Sequence, residues 1–342
     1  MKAAVIREFG DVNVLKYEDI ETPTPKPGHI LIKVLAAGIN RFDHYIREGS
    51  VLPELPFPHI LGADAAGEVA ELGEGVNGFK LGERVIPTPG FPQEKEEYSI
   101  RSAVTAPSFT LPGLGIPGTY AQFIEVPVEW VVRDETGWTP AEAATLPMVL
   151  ATGVHAVRGV GEVKAGDRVL IQAGGSGSGS MQVQIAKALG AEVATTVRSE
   201  AKGAFARTIG ADLVINTRNE VERVGEWSGG RGADVVIDNL GGDVLPQSIE
   251  AARALGVVVA FGFTAGTQVS FDIRNFFFVQ KQLRGAMASD IEDLKWGLEQ
   301  VRAGRIKPSL DRALPLSEAA EAHRLIATNQ VAGNLVLLPW AA

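Results

Sequence analysis

The stretch Asp167–Lys202, DRVLIQAGGSGSGSMQVQIAKALGAEVATTVRSEAK, decides how this chain is read. The apolar run Val169–Ile171 gives way to four glycines and three serines within Gly174–Ser180. Val183, Ile185, Ala186 and Leu189 then follow a helical pattern up to Gly190, and Glu192–Val197 reads as a second strand. Strand, small-residue turn, helix and strand make a βαβ unit. A turn that opens a helix leaves backbone N–H groups at the positive end of the helix dipole, which suits a phosphate. The spacing G-x-G-x-x-G falls on Gly174, Ser176 and Gly179, so a serine stands where the second glycine would allow closest approach to a pyrophosphate. Gly174, Ser176, Gly177, Ser178 and Gly179 form the expected phosphate cradle. The Ser176 hydroxyl is expected to supply a donor in place of the missing approach.

The second strand ends at Val197-Arg198-Ser199 without an acidic residue. In dinucleotide folds an acid there accepts the ribose 2′-hydroxyl, whereas an arginine suits a 2′-phosphate. Arg198, Ser199 and Lys202 supply two cations and a hydroxyl within five residues. A charged hydrogen bond of this kind contributes about 1.5–3 kcal/mol, enough to set cofactor choice. The expected cofactor is NADP(H).

Outward from this unit the alternation continues. Asp212–Ile215, Ala233–Asp238, Gly256–Gly262 and Gln282–Ala286 are short apolar runs separated by helical or loop segments, which predicts an α/β domain with a doubly wound parallel sheet. Upstream, residues 139–160 read as helical, with Thr139 as cap and Pro140 at the first helical position. Downstream, Ile291, Leu294, Leu298 and Val301 share a helical face, Ser317 is the expected N-cap of a helix Glu318–Ala327, and Asn334–Leu338 reads as a last strand. The first third is β-rich, with short runs at Ala3–Ile6, Ile30–Leu35, Gly67–Leu72 and Arg84–Ile86 between proline and glycine clusters. Residues 87–118 are rich in both and read as a long loop or lobe.

Composition narrows the classes. At 342 residues the chain is long enough for two domains with substantial cores. A net charge of −9 argues against broad contact with nucleic acid or an anionic membrane. No apolar run approaches the ~18–20 residues that span a bilayer. The start MKAAVIREFG lacks the apolar region of a signal peptide, so a cytoplasmic protein is expected. Cysteine is absent, which excludes disulfides and thiolate chemistry and removes the soft ligands that structural zinc sites usually use.

Taken together, the chain resembles the medium-chain dehydrogenase/reductase superfamily in its quinone-oxidoreductase-like part, over nearly its whole length. The resemblance rests on Gly38-Ile39-Asn40 followed by Asp43, on LGADAAGEVAELGEGVNGFKLGERV (Leu61–Val85) and on LPMVLATGVHA (Leu146–Ala156). The βαβ unit, DVVIDNLGG (Asp234–Gly242) and GNLVLLP (Gly333–Pro339) complete it. It implies a β-rich, GroES-like catalytic domain of residues 1–130 and 288–342 and a Rossmann-type NADP-binding domain of residues 131–287. It also implies that Thr152, Asn239, Phe261, Gly262, Phe263, Thr264 and Asn334 line the cofactor.

Zinc alcohol dehydrogenases of the superfamily hold a catalytic metal with two cysteines and a histidine. The matching positions here are Asn40, Ala63 and Met148, so a zinc-independent enzyme is expected, with residues 87–118 as a metal-free version of the structural zinc lobe. Asn40 matches an asparagine that neighbours nicotinamide and substrate in zinc-free relatives, where its amide can donate to a carbonyl. Tyr45, or His44 before it, is the expected proton donor, and Asp43 is expected to be structural. The tyrosine of enoyl-thioester reductases would fall near Val51, which counts against that activity. His29 and His323 read as loop and helix-surface residues, His155 as packed and His59 as part of a rigid turn. Phe276–Phe278 is expected to be a dimer contact or core. The implied activity is hydride transfer to or from a quinone, a conjugated enone or a ketone/secondary alcohol, on small molecules, by a homodimer or homotetramer. The alternative is a non-catalytic NADPH-binding protein of the sensor or crystallin kind.

Overall fold

The structure, a computed structural model, describes residues 1–100, 102–216 and 219–341. The chain forms two compact units. One comprises Met1–Ala151, Ala288–Arg302 and Pro308–Ala342; the other comprises Thr152–Met287 and Ala303–Lys307.

The first unit opens with β1 (Lys2–Ile6), β2 (Lys16–Asp19) and the long β3 (His29–Ile39), followed by α1 (Arg41–Arg47). Next come β4 (His59–Ile60), β5 (Asp64–Leu72), β6 (Arg84–Pro87), β7 (Phe91–Pro92) and β8 (Phe109–Thr110). Strands β9 (Phe123–Pro127) and β10 (Val131–Arg133) lead into helices α2 (Pro140–Ala143) and α3 (Pro147–Val154).

In the second unit β11 (Arg168–Ile171), α4 (Gly177–Ala188), β12 (Glu192–Val197), α5 (Glu200–Thr208) and β13 (Leu213–Asn216) are followed by α6 (Glu220–Trp227). Then come β14 (Ala233–Asp238), α7 (Leu245–Ala251), β15 (Ala252–Ala260), α8 (Arg274–Phe277) and β16 (Gln282–Gly285). The chain then returns to the first unit with α9 (Ile291–Arg302), β17 (Leu310–Pro315), α10 (Ala319–Ala327) and β18 (Asn334–Leu338).

In the first unit β3 is the hub. It pairs antiparallel with β5, β9 and β18, within a sheet ordered β10-β6-β5-β3-β18-β17. Its alternating Ile30, Ile32 and Val34 are fully buried and join Tyr120, Leu335 and Leu337 in one apolar core. Residues 87–118 carry the two-stranded pair β7–β8. Phe91 and Tyr98 pack on Trp130 with ring centroids 6.3 and 5.7 Å away, and Glu97 accepts from Ser108 Oγ at 2.5 Å. Aromatic packing and hydrogen bonds thus order this lobe.

The second unit holds a parallel sheet ordered β13-β12-β11-β14-β15-β16. In order of appearance this is 3-2-1-4-5-6, the doubly wound arrangement. Val169, Leu170 and Ile171 of β11 are fully buried, as a central parallel strand requires.

Three expectations change. The boundary expected near residue 130 lies at Ala151/Thr152, because β10 pairs with β6 and Leu150 packs directly over Gly297 of α9. The helix expected over 139–160 breaks into α2 and α3 before Pro147, whose ring disfavours helical backbone at the preceding residue, and continues as a π-helical turn at His155–Val160. Thr139 does cap α2, in a reciprocal box with Glu142. Ser317 does not cap α10; it lies inside a 3₁₀ turn, Leu316–Glu318, that tightens the helix entry.

Candidate functional site

In the second unit the expected cofactor residues follow the carboxyl ends of four adjacent parallel strands. Gly174–Gly179 follow β11, Arg198–Lys202 follow β12, Asn239 follows β14 and Phe261–Thr264 follow β15. Strand order reverses beside β11, between β12 and β14, which is where doubly wound sheets bind ligands.

The glycines of the turn have steric reasons. A Cβ at Gly174 would lie 2.1 Å from Thr195 Oγ1, and one at Gly179 would lie 2.2 Å from Ala173 O. Ser176 corrects the sequence reading. Its Oγ donates to Ala173 O at 2.8 Å and accepts from Gly179 N at 3.0 Å, so it is the N-cap of α4 and its proton already has an acceptor. The donors that remain for a phosphate are the first-turn N–H groups of Gly177 and Ser178, which have no intrahelical acceptor.

Ser199 is likewise a cap, accepting from Lys202 N at 3.3 Å to start α5. Arg198 is exposed, and its guanidinium has no hydrogen-bond or ion-pair partner among the described residues. The stem of Lys202 covers Gly175, where a Cβ would lie 2.6 Å from Lys202 Cβ. Asn239 Nδ2 donates to Gln172 O at 3.1 Å, while its buried Oδ1 has no partner among the described residues. Gly262 lies so close to Asn239 that a Cβ would approach its carbonyl oxygen to 2.0 Å, and Ala265 N donates to Leu240 O at 2.8 Å. The loops after β14 and β15 are therefore joined.

Sequence reasoning missed the polar cluster beneath these loops. Gln172 Nε2 donates to Glu220 Oε1 and Ser248 Oγ, and its Oε1 accepts from Thr196 Oγ1 at 2.6 Å. Ser248 Oγ donates to Asp238 Oδ2 at 2.7 Å, and Asp238 Oδ1 accepts from Leu240 N and Gly241 N. Burial raises the Glu220 carboxyl above its usual range. Thr152 stands half-buried in α3. Asn334 belongs to the first unit, at the start of β18, with its amide towards Ser309 O at 3.4 Å.

The first unit gathers Asn40, Asp43, Asp64 and Met148. Asn40 precedes α1; its backbone N donates to Asp43 Oδ2 at 2.8 Å, and its Nδ2 donates to Asp64 Oδ2 at 2.9 Å. Met148 N donates to the other Asp64 oxygen at 2.8 Å. Two of the three zinc-ligand positions, Asn40 and Met148, therefore meet at Asp64, the neighbour of the third, Ala63. These residues do not suit zinc. The Asn40 amide nitrogen donates, Ala63 has no ligand atom, Met148 offers only a thioether, and both Asp64 oxygens already accept hydrogen bonds. Burial pushes the Asp43 and Asp64 carboxyls up to about 7.

A buried chain runs on from Asp43. Tyr120 Oη donates to Asp43 Oδ2 at 2.9 Å and lies 3.2 Å from His323 Nε2, and Arg47 Nε donates to His323 Nδ1 at 3.3 Å. His323 is thus not a helix-surface residue. It is 1% exposed, because it shares the inner face of α10 with Ala319, Ala322 and Ile326, and burial lowers its pKa to about 3. His44 meets Arg47 Nη2 through Nδ1 at 2.7 Å and Glu48 Oε1 through Nε2 at 3.3 Å, so both ring nitrogens are engaged. Tyr45 is half-buried beside it, ring centroids 6.0 Å apart. His59 is buried against Gly113 O at 3.0 Å, and His29 begins β3.

Among the described residues no helix is long and apolar enough to cross a membrane. Residues 26–136 match the family described as "Alcohol dehydrogenase GroES-like domain", and residues 177–303 match "Zinc-binding dehydrogenase". A 2-haloacrylate reductase from Burkholderia sp is 31% identical over 99% of this chain and 99% of its own. Among solved structures, an NAD-dependent alcohol dehydrogenase superposes with a TM-score of 0.94 at 32% identity, covering 99% of both chains. The crotonyl-CoA carboxylase/reductase AntE in complex with NADP superposes at 0.90 and 27% identity, covering 99% of this chain and 94% of its own. The first unit is a GroES-like domain and the second a Rossmann-like domain. The chain belongs to the medium-chain dehydrogenase/reductase superfamily and is an oxidoreductase.

Proposed function

We propose that this chain is a zinc-independent, NADP(H)-dependent oxidoreductase acting on small conjugated carbonyl compounds, enones or quinones. The observation that carries this reading is Asn40, whose amide keeps one N–H on Asp64 and has a second to donate. When bound, the nicotinamide supplies or accepts hydride. The chain's own part is to hold and polarise the acceptor. The second Asn40 N–H donates to the substrate oxygen as negative charge develops there, replacing the metal of zinc-dependent relatives.

Tyr45, or His44 before it, supplies the proton. The cofactor's pyrophosphate takes the N–H groups of Gly177 and Ser178, and the 2′-phosphate takes Arg198 with Ser199. Relatives divide on cofactor, one being named NAD-dependent and another solved with NADP. The exposed Arg198 after β12, in a position where NAD-binding folds place an acid, favours NADP(H). Exposed Leu255, Ile273, Phe277, Phe278 and Met287 in the second unit favour self-association as a homodimer or homotetramer.

The test is NADPH oxidation against a panel of conjugated enones, quinones and saturated ketones. Turnover with enones or quinones is expected. Turnover confined to saturated ketones would move the reading to a ketone/secondary-alcohol enzyme, and none with any acceptor would end it.

A further inference from the structure

We propose that Asp64 is a positioning residue for Asn40: its carboxylate decides that Asn40 offers substrate an N–H rather than its amide oxygen. This rests on the role given to Asn40 above. A carboxamide has two donors on nitrogen and an acceptor on oxygen in nearly the same shape, so a half-turn exchanges donor for acceptor without changing the packing. Asp64 removes that freedom. Its Oδ2 accepts from Asn40 Nδ2 at 2.9 Å and its Oδ1 accepts from Met148 N at 2.8 Å. With both oxygens accepting, the ionised form of Asp64, which prevails above about pH 7, has no proton to give. A flipped Asn40 would set its oxygen against a carboxylate oxygen, a repulsion that burial strengthens.

Asp64 cannot move away. It is 2% exposed, begins β5 opposite Gly38 of β3, and closes over that glycine so tightly that a Cβ there would lie 2.9 Å from Asp64 Cβ. The Asn40 backbone is held separately, by Asp43 Oδ2 at 2.8 Å. One aspartate thus fixes where Asn40 sits and the other fixes which way its amide faces.

Three variants test the inference by kcat, KM and thermal melting. Asp64→Asn keeps the shape and an acceptor for Met148 N, but it can present either amide face to Asn40. It is expected to lower kcat about tenfold or more while leaving the KM for NADPH within about twofold. The swap Asn40→Asp/Asp64→Asn restores a donor–acceptor pair of opposite direction. It is expected to recover melting temperature towards wild type without recovering kcat. A shift in melting temperature with kcat unchanged in Asp64→Asn, or recovery of kcat in the swap, would overturn the inference. If Asp64→Asn is too unstable to assay, Asp64→Ser, whose hydroxyl can donate or accept and so admits either amide face, takes its place with the same expectation. Asn40→Ala separates the two levels: unchanged kcat there defeats the reading of Asn40 and the inference together. Reduced kcat in Asn40→Ala but not in Asp64→Asn defeats only the inference.

Discussion

At the scale of single residues, the chemistry of the first unit turns on groups whose partners lie far along the chain. Asn40 and Asp43 could be picked out in sequence because they stand in a short motif after Gly38. Asp64 and His323 could not, since their roles come from contacts 24 and 203 residues away, with Asn40 and Tyr120. His323 looked like a surface residue because one polar residue in a short amphipathic helix carries no sign of what faces it. If Asn40 donates to the developing oxyanion, Asn40→Ala should lower kcat by about a hundredfold, checked by steady-state kinetics with the best acceptor. The buried acids give a second prediction. Both have folded pKa values of about 7, above the unfolded value of about 3.9. Between those values the folded state retains protons that the unfolded state has lost, so ionisation of these acids lowers stability as pH rises through that window. Asp43→Asn removes one such group and keeps an acceptor for Asn40 N and Tyr120 Oη. Its melting temperature relative to wild type should therefore rise between about pH 4 and pH 7. A pH-independent difference would show that Asp43 is not titrating in this way.

At the scale of elements, the strand, small-residue turn and helix from β11 to α4 were legible in sequence, but not in their details. Small residues and a following helix identify such a turn; they do not say which hydroxyl caps the helix. Ser176 does so, and the donors pass to the backbone. The interruption of the helical run at Pro147 was visible as a proline but outweighed by the apolar pattern on either side. Gly179 tests the steric account of the turn. In Gly179→Ala the added Cβ meets Ala173 O at 2.2 Å, so the turn must shift. The expected loss is about 1–3 kcal/mol of stability, read by denaturant unfolding, together with weaker NADPH binding. Unchanged stability and affinity would mean that the turn has room the structure does not show.

At the scale of the whole molecule, the alternation of short apolar runs with helices was enough to anticipate the 3-2-1-4-5-6 sheet. The unit boundary was harder, because β10 pairs only through non-local contacts with β6. The alternative of a non-catalytic binding protein gives way to membership of a superfamily of enzymes. The aromatic segment after β15 packs only in part: Phe276 lies against the core, while Phe277 and Phe278 are exposed. If this face mediates self-association, the double variant Phe277→Ser/Phe278→Ser should shift the mass measured by light scattering towards the monomer, and an unchanged mass would place the interface elsewhere. The central claim is hydride transfer with NADP(H), directed by Arg198. Its most direct test is the ratio of kcat/KM for NADPH to that for NADH, measured on wild type and on Arg198→Ala with one acceptor. The account predicts a ratio well above one in wild type that falls about tenfold or more in the variant, through loss with NADPH alone. A wild-type preference for NADH, or a ratio that Arg198→Ala leaves unchanged, would contradict it.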